Sequence, residues 1–230
     1  LQGKVADPKS RDSGNTTLKK NFFGGHITMC GANSPASLAS RPVRVILADE
    51  LDRWPISAGD EGDPYELARK RSATFWNRKE VAVSTPTVKN GSKIEALFEN
   101  TEYHVPCPEC DHHQIMKWSN VHWNEGEPDS AYYACEECGG AWDDAMRYKA
   151  IRKGEWRATA PFVGRAGFRL SGLCSPWTPL SSAVADFLQA KKLPETLRVW
   201  VNTYLGESWQ DDGERLDDFQ IATHREDYTS

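Results

Sequence analysis

Apolar and polar positions fall in short blocks whose spacing predicts a mixed α/β chain. Val43-Arg44-Val45-Ile46-Leu47-Ala48 is an apolar, β-branched run that reads as a buried parallel strand, and it ends in Asp49-Glu50. Glu80-Val81-Ala82-Val83 reads as a second short strand, ending in the hydroxyl-rich Ser84-Thr85-Pro86-Thr87. Between them, Asp63 stands as a cap, Pro64 occupies the first turn, and Arg69-Lys70-Arg71 closes the segment, so a crossover helix is expected. Strand, helix and strand predict a right-handed βαβ unit. His26–Cys30 reads as a third strand, followed by the polar loop Gly31–Pro35.

Further along, Gln114–Trp118 and Ala131–Ala134 read as short strands, and a loop is expected around Asn124–Ser130. Asp143–Lys153 predicts a polar helix with an Asp cap, and Gly167–Leu170 a strand. Leu180, Val184, Phe187, Leu188 and Lys191 lie at helical spacing, as do Leu197, Trp200, Val201, Tyr204 and Leu205; both faces are expected to pack into a core. No run approaches the ~18 apolar residues of a membrane helix.

Composition supports a folded chain: of 230 residues, 39% are hydrophobic and 10% aromatic, with nine Trp. The net charge of -5 is concentrated at one end. Glu207, Asp211, Asp212, Glu214, Asp217, Asp218, Glu226 and Asp227 face only Arg215 and Arg225, which leaves the body almost neutral and open to a polyanionic partner. With no basic-then-apolar leader, the chain is expected to work inside a cell. Its start at Leu1 rather than Met reads as an internal piece of a longer polypeptide.

Four of six cysteines form two CxxC pairs, Cys107-Pro108-Glu109-Cys110 and Cys135-Glu136-Glu137-Cys138. Two thiolates on a tight turn can reach one ion, and a second such turn completes a closed tetrahedron, so a structural Zn²⁺ in a ribbon is expected. A disulfide pairing is the rival arrangement, and His112 and His113 are rival ligands. Cys30 and Cys174 read as small buried residues.

The strand ending in Asp49-Glu50 has the form of a Walker B strand. Asp49 would hold the hydrated Mg²⁺ of a bound ATP, and Glu50 would polarise the attacking water. Ser84 and Thr85 stand where a γ-phosphate could be sensed. Arg69 and Arg71 are candidate arginine fingers, and Arg78, Lys79, Lys89 and Lys93 candidate DNA contacts. No GxxxxGK[ST] loop occurs in the chain.

Taken in order, several motifs resemble the large terminase subunit of tailed phages, GpA type: Phe23-Gly24-Gly25-His26, Gly31-Ala32-Asn33-Ser34-Pro35, Leu47-Ala48-Asp49-Glu50-Leu51-Asp52-Arg53, Glu61-Gly62-Asp63-Pro64, Ser84-Thr85-Pro86-Thr87 and Val105-Pro106-Cys107-Pro108-Glu109-Cys110. Cys135 to Cys138, Gly154-Glu155-Trp156, Gly167-Phe168-Arg169-Leu170-Ser171 and Leu205-Gly206-Glu207-Ser208-Trp209 continue the resemblance. It implies the C-terminal part of a P-loop (RecA/ASCE-like) ATPase domain with a zinc-ribbon insertion and a mainly helical connector. The implied segments are a partial ATPase domain at 1–100, the ribbon at 101–142, a helical and strand subdomain at 143–206 and an acidic linker at 207–230, toward an absent nuclease domain.

The implied activity is ATP-driven packaging of double-stranded DNA, with an endonuclease in the parent protein and Ser84–Thr87 as the coupling motif. The implied cofactors are ATP, Mg²⁺ and structural Zn²⁺. The implied partners are the DNA, the small terminase subunit, the portal and procapsid, and further copies in a ring, in the host cytoplasm and without a membrane. Without a Walker A loop or the nuclease acids, the chain alone is expected to be inactive. A superfamily-2 helicase and a non-enzymatic zinc-ribbon adaptor are the rival readings.

Overall fold

In a computed structural model of the chain, residues 15–98 and 101–210 are described. The chain divides into two compact units, 1–83 and 84–230.

The first unit opens with a hairpin of β1 (Lys19–Phe22) and β2 (Gly25–Thr28), paired antiparallel from Lys19↔Thr28 to Phe22↔Gly25. Gly24 sits at φ +86°, the left-handed turn conformation that an L side chain resists. The expected third strand therefore exists, but its partner is the segment just before it, because a two-residue turn closes the nearest available pairing. A short helix, α1 (Pro35–Ala39), then leads to β3 (Val45–Ala48). Helix α2 (Pro64–Ser72) begins at the predicted cap: the Asp63 carboxylate accepts from the N–H groups of Tyr65 and Glu66 at 2.8 and 3.0 Å. Strand β4 (Lys79–Ala82) returns parallel to β3, Val45↔Lys79 through Ala48↔Ala82, as the crossover pattern requires. Ile46 and Ala48 point inward, Ile46 joining Leu38, Ala58, Leu67 and Ala68 in a small core, while Val45 and Leu47 face outward.

The second unit starts with α3 (Lys93–Leu97), capped by Ser92. Strands β5 (Thr101–Pro106) and β6 (His113–Gln114) follow, then β7 (Val121–Asn124), β8 (Glu127–Ala134) and β9 (Ala141–Trp142). Helix α4 (Asp144–Ile151) has the expected Asp143 cap, and β10 (Glu155–Ala158) completes a sheet ordered β10-β5-β6; the other sheet is β7-β8-β9. Helices α5 (Leu180–Ala190) and α6 (Pro194–Trp200), the latter continuing as a π-helical turn over 201–205, supply the predicted apolar faces. Leu180, Val184, Phe187, Trp200, Val201 and Leu205 are all buried in one core with Val105, Trp118 and Tyr133.

Four expectations are corrected here. The strand predicted over 114–118 ends at Gln114: the Lys117 N–H is taken by the Tyr133 hydroxyl at 3.2 Å, and Trp118 turns into the core. The loop expected at 124–130 is a β-hairpin, with Gly126 at φ +74° in a two-residue turn between β7 and β8. The strand expected over 167–170 is reduced to one bridge, Glu102↔Arg169. Cys174 is buried as predicted, whereas Cys30, just past the exposed strand β2, is exposed. The acidic stretch beyond Gln210 lies outside the described residues. Among the described residues, no helix is long and apolar enough to cross a membrane.

Candidate active site and metal centre

Asp49 and Glu50 follow directly on the carboxyl end of β3. Asp49 continues the outward alternation of Val45 and Leu47, and all three line a cavity of about 730 Å³ bounded also by β2, α1 and Trp54. The turn is firmly built. The Trp54 indole N–H donates to the Asp49 carbonyl at 2.8 Å, and Leu51 is fully buried with its N–H on the Val83 carbonyl at 3.2 Å. Glu50 sits at φ 51°, ψ 46°, a left-handed conformation uncommon for a side chain of its size and one that concentrates at functional sites. Both carboxylate residues are exposed.

Of the two candidate fingers, Arg69 is engaged by two acids: Nη1 lies 2.8 Å from Glu66 Oε1 and Nε 2.8 Å from Glu80 Oε2. Hydrogen bonding to Glu80 raises its pKa. Burial works to raise the pKa of Glu80, yet the Arg69 and Ser72 hydrogen bonds overcome it and hold the carboxyl below its ordinary value. Arg71 is half-buried; its carbonyl accepts from the Val43 N–H, and its Nε is buried with no hydrogen-bond partner among the described residues. Arg78 and Lys79 are exposed, Arg78 Nε lying 3.8 Å from Glu80.

In the second unit, Ser84 to Thr87 are half-buried and lead into a pairing absent from the sequence pattern. The Trp209 N–H donates to the Thr87 carbonyl and the Lys89 N–H to the Trp209 carbonyl, both at 2.8 Å, around a parallel bridge at Val88↔Trp209. The Ser208 hydroxyl meets Glu95 Oε1 at 2.8 Å. Ser84 and Thr85 line a smaller cavity of about 190 Å³ with Phe98, Arg169 and Ser208. Lys89 is exposed and Lys93 half-buried.

The four CxxC cysteines converge. All four Sγ atoms lie within 4.8 Å of one another, with Cys107–Cys138 and Cys110–Cys135 each at 3.8 Å. Four sulfurs about 2.3 Å from a central ion would be roughly 3.8 Å apart, so the group fits a tetrahedrally held metal. Each pair is carried on a matching turn. Asp111 N–H donates to the Cys107 carbonyl and Gly139 N–H to the Cys135 carbonyl, both at 3.0 Å, and Asp111 and Gly139 share the left-handed conformation. Backbone N–H groups of Glu109, Glu137 and Gly140 point at the sulfurs from 3.4 Å. Gln114, 1% exposed, donates to Cys135 Sγ at 3.4 Å and accepts from the Glu136 N–H at 3.0 Å, a supporting contact that the spacing of cysteines does not reveal. Burial opposes ionisation of Cys135, but hydrogen bonds from the Cys138 and Glu137 backbone and from neighbouring thiols bring it down to about 7. At Cys110 a backbone hydrogen bond at His112 acts downward, and burial with the three other thiols prevails, pushing it up to about 12. His112 pairs instead with Glu136 at 3.3 Å and His113 faces Glu155 at 3.9 Å; neither belongs to the group of four.

Comparison with known proteins bears on both sites. The family model for the phage terminase large subunit gpA, ATPase domain, matches residues 1–156. The chain belongs to the gpA family of phage terminase large subunits. Its gpA ATPase match takes in Asp49, Glu50, the Ser84–Thr87 segment and all four clustered cysteines. A second model, for the gpA endonuclease domain, matches residues 165–230, so the match opens ahead of the acidic stretch and includes α5 and α6. The family thus carries ATPase and endonuclease domains, the make-up of an enzyme. The terminase large subunit of Enterobacteria phage P21 is 29% identical over 243 residues, 91% of this chain and 37% of the relative. That of Escherichia phage lambda is 28% identical over 253 residues, 96% of this chain and 39% of the relative. The gpA chain described here spans less than two fifths of the length of these curated relatives. No solved structure matches it.

Proposed function

We propose that this chain is part of an ATP-driven motor that packages double-stranded DNA, and that Asp49 and Glu50 form its hydrolytic carboxylate pair. The observation that carries this is their position: two exposed acids at the carboxyl end of a parallel strand, Asp49 at the wall of the large cavity, within the stretch that matches the gpA ATPase. Mg²⁺ bound with ATP would neutralise charge on the phosphates. Asp49 is the residue to hold that hydrated ion, and Glu50 orients and polarises the water. Arg69 or Arg71 meets the transferring phosphoryl group; for Arg69 this requires release from Glu66 and Glu80. Ser84 and Thr85 are candidate nucleotide sensors, Ser84–Thr87 the candidate coupling segment, and Arg78, Lys79, Lys89 and Lys93 candidate contacts for DNA phosphates.

The reading extends to the fold: residues 1–100 as part of a P-loop ATPase domain, 101–142 as a zinc ribbon, and 143–206 as a helical and strand subdomain. The ribbon's four thiolates leave no open coordination position, so its Zn²⁺ is structural. Partners on this reading are DNA, the small subunit, portal and procapsid, and further copies in a ring, in the host cytoplasm. Neither the helicase nor the adaptor reading is favoured by two gpA matches in one chain.

The test is Glu50→Gln in the natural-length protein. ATP turnover is expected to fall by several orders of magnitude while nucleotide binding persists; unchanged turnover would sink the assignment.

A further inference from the structure

Between Asp144 and Asp186 the chain carries seven basic residues and a single acid, Glu155, although its overall charge is -5. Arg147 is wholly buried, and the Arg157 and Arg169 guanidinium groups are paired with Glu155 and Glu102 at 2.6 and 2.7 Å. Lys149, Arg152 and Lys153 are different. All three are exposed at the end of α4, and no ion pair engages any of them among the described residues. Lys149 sits in the last turn of α4, Arg152 is its C-cap and Lys153 follows, so the three cations cluster at the helix end with no ion pair among the described residues to offset their repulsion.

A cationic last turn can serve merely to complement a helix dipole. Here the helix end is already held by neutral contacts. The Tyr103 hydroxyl donates to the Ile151 carbonyl at 2.7 Å, and the Arg152 and Lys153 N–H groups close the last turn on Tyr148 and Ala150. Gly154 then passes so close over the Tyr103 ring that a Cβ would lie 2.6 Å from it, which locks the turn from α4 into β10. The three cations are thus presented on a rigid corner.

We propose that this corner is a phosphate-backbone docking surface for double-stranded DNA, made of residues other than the four basic residues assigned to the DNA grip. The proposal rests on the motor reading for its choice of polyanion. Charge complementarity supports it: duplex DNA offers a negative charge about every 1.7 Å of its axis, so cations clustered at a helix end can each neutralise a phosphate and release a counterion. Such contacts position a duplex without reading its sequence, which suits a motor that must accept any DNA passing through it.

The experiment is salt-titrated binding of a random 30-base-pair duplex by the 230-residue chain and by the Lys149→Gln, Arg152→Gln, Lys153→Gln triple variant. The logarithmic salt slope is expected to fall by about 2.7, near 0.9 for each cation removed, with an unchanged melting temperature. Should the triple variant fold poorly, the single variants each carry the same expectation of about 0.9. An unchanged slope, or no binding by the unsubstituted chain, overturns the proposal. So does equal competition by polyglutamate at matched charge, which would assign the corner to an acidic protein. The motor reading is judged separately by Glu50→Gln and ATP turnover, so failure of one is distinguishable from failure of the other.

Discussion

The Arg147 guanidinium is wholly buried and grips the Asp144 carboxylate one turn earlier, with Nη2 and Nε 2.7 and 2.9 Å from Oδ1. Its remaining donors reach the carbonyls of Leu173, Ser175 and Thr178, and Asp144 in turn accepts from the Leu180 N–H at 3.1 Å. One ion pair thereby ties the start of α4 to the segment that leads into α5.

Arg147→Ala is expected to destabilise the second unit by about 3–5 kcal/mol, since it strands a carboxylate and three carbonyls together. Arg147→Lys should also be destabilising, because an ammonium cannot reproduce the guanidinium fork. Denaturant unfolding of the two variants checks both; a loss below about 1 kcal/mol would show that the contacts are dispensable.

The tetracysteine group predicts about one Zn per chain by metal analysis. Chelation or Cys135→Ser should remove the metal and unfold the surrounding sheets, seen as loss of near-ultraviolet signal from Trp118, Tyr133 and Trp142. A fully folded, metal-free chain would refute the zinc assignment.

Glu80 gives a pH prediction with a definite sign. Its pKa is depressed in the folded chain by Arg69 and Ser72, against the effect of burial. The stability it contributes is therefore complete above its unfolded value of about 4.3 and is lost as pH falls through the lower folded value. Arg69→Gln should move the acid-unfolding midpoint to higher pH and cost less than about 1 kcal/mol at neutral pH, given that the Arg69 side chain is 36% exposed. An unshifted acid midpoint would contradict the coupling.

Trp118 packs against Trp200 at 4.7 Å, Phe187 at 5.1 Å and Trp123 at 5.9 Å between ring centroids, joining the β7-β8-β9 sheet to both long helices. Trp118→Ala is expected to cost about 3–5 kcal/mol in equilibrium unfolding. A much smaller loss would mean that the helices hold without it.

Much of the site was legible along the chain because its parts are local. Asp63 caps α2 through N–H groups two and three residues away, and each CxxC pair places two sulfurs on one turn. Asp49 and Glu50 are recognisable because they end an apolar strand. The hairpin between Asn124 and Glu127 was harder to see, since its alternation is weak and its register irregular. Gln114, Trp209 and the carbonyl partners of Arg147 carry no local signal: Cys135 lies 21 residues from Gln114, Leu173 lies 26 from Arg147, and Thr87 is farther still from Trp209.

By itself the sequence determined the capped helix, the parallel strand ending in two acids, the paired cysteines and the apolar helix faces, because each depends on residues within a few positions of one another. Only the tertiary structure decided that β2 pairs with β1, that Thr87 meets Trp209, that Arg147 is swallowed whole, and that Lys149, Arg152 and Lys153 gather at one corner with no ion pair among the described residues. Those outcomes depend on which distant groups come within a few ångströms, where desolvation and hydrogen bonding set the energy and sequence spacing carries little information.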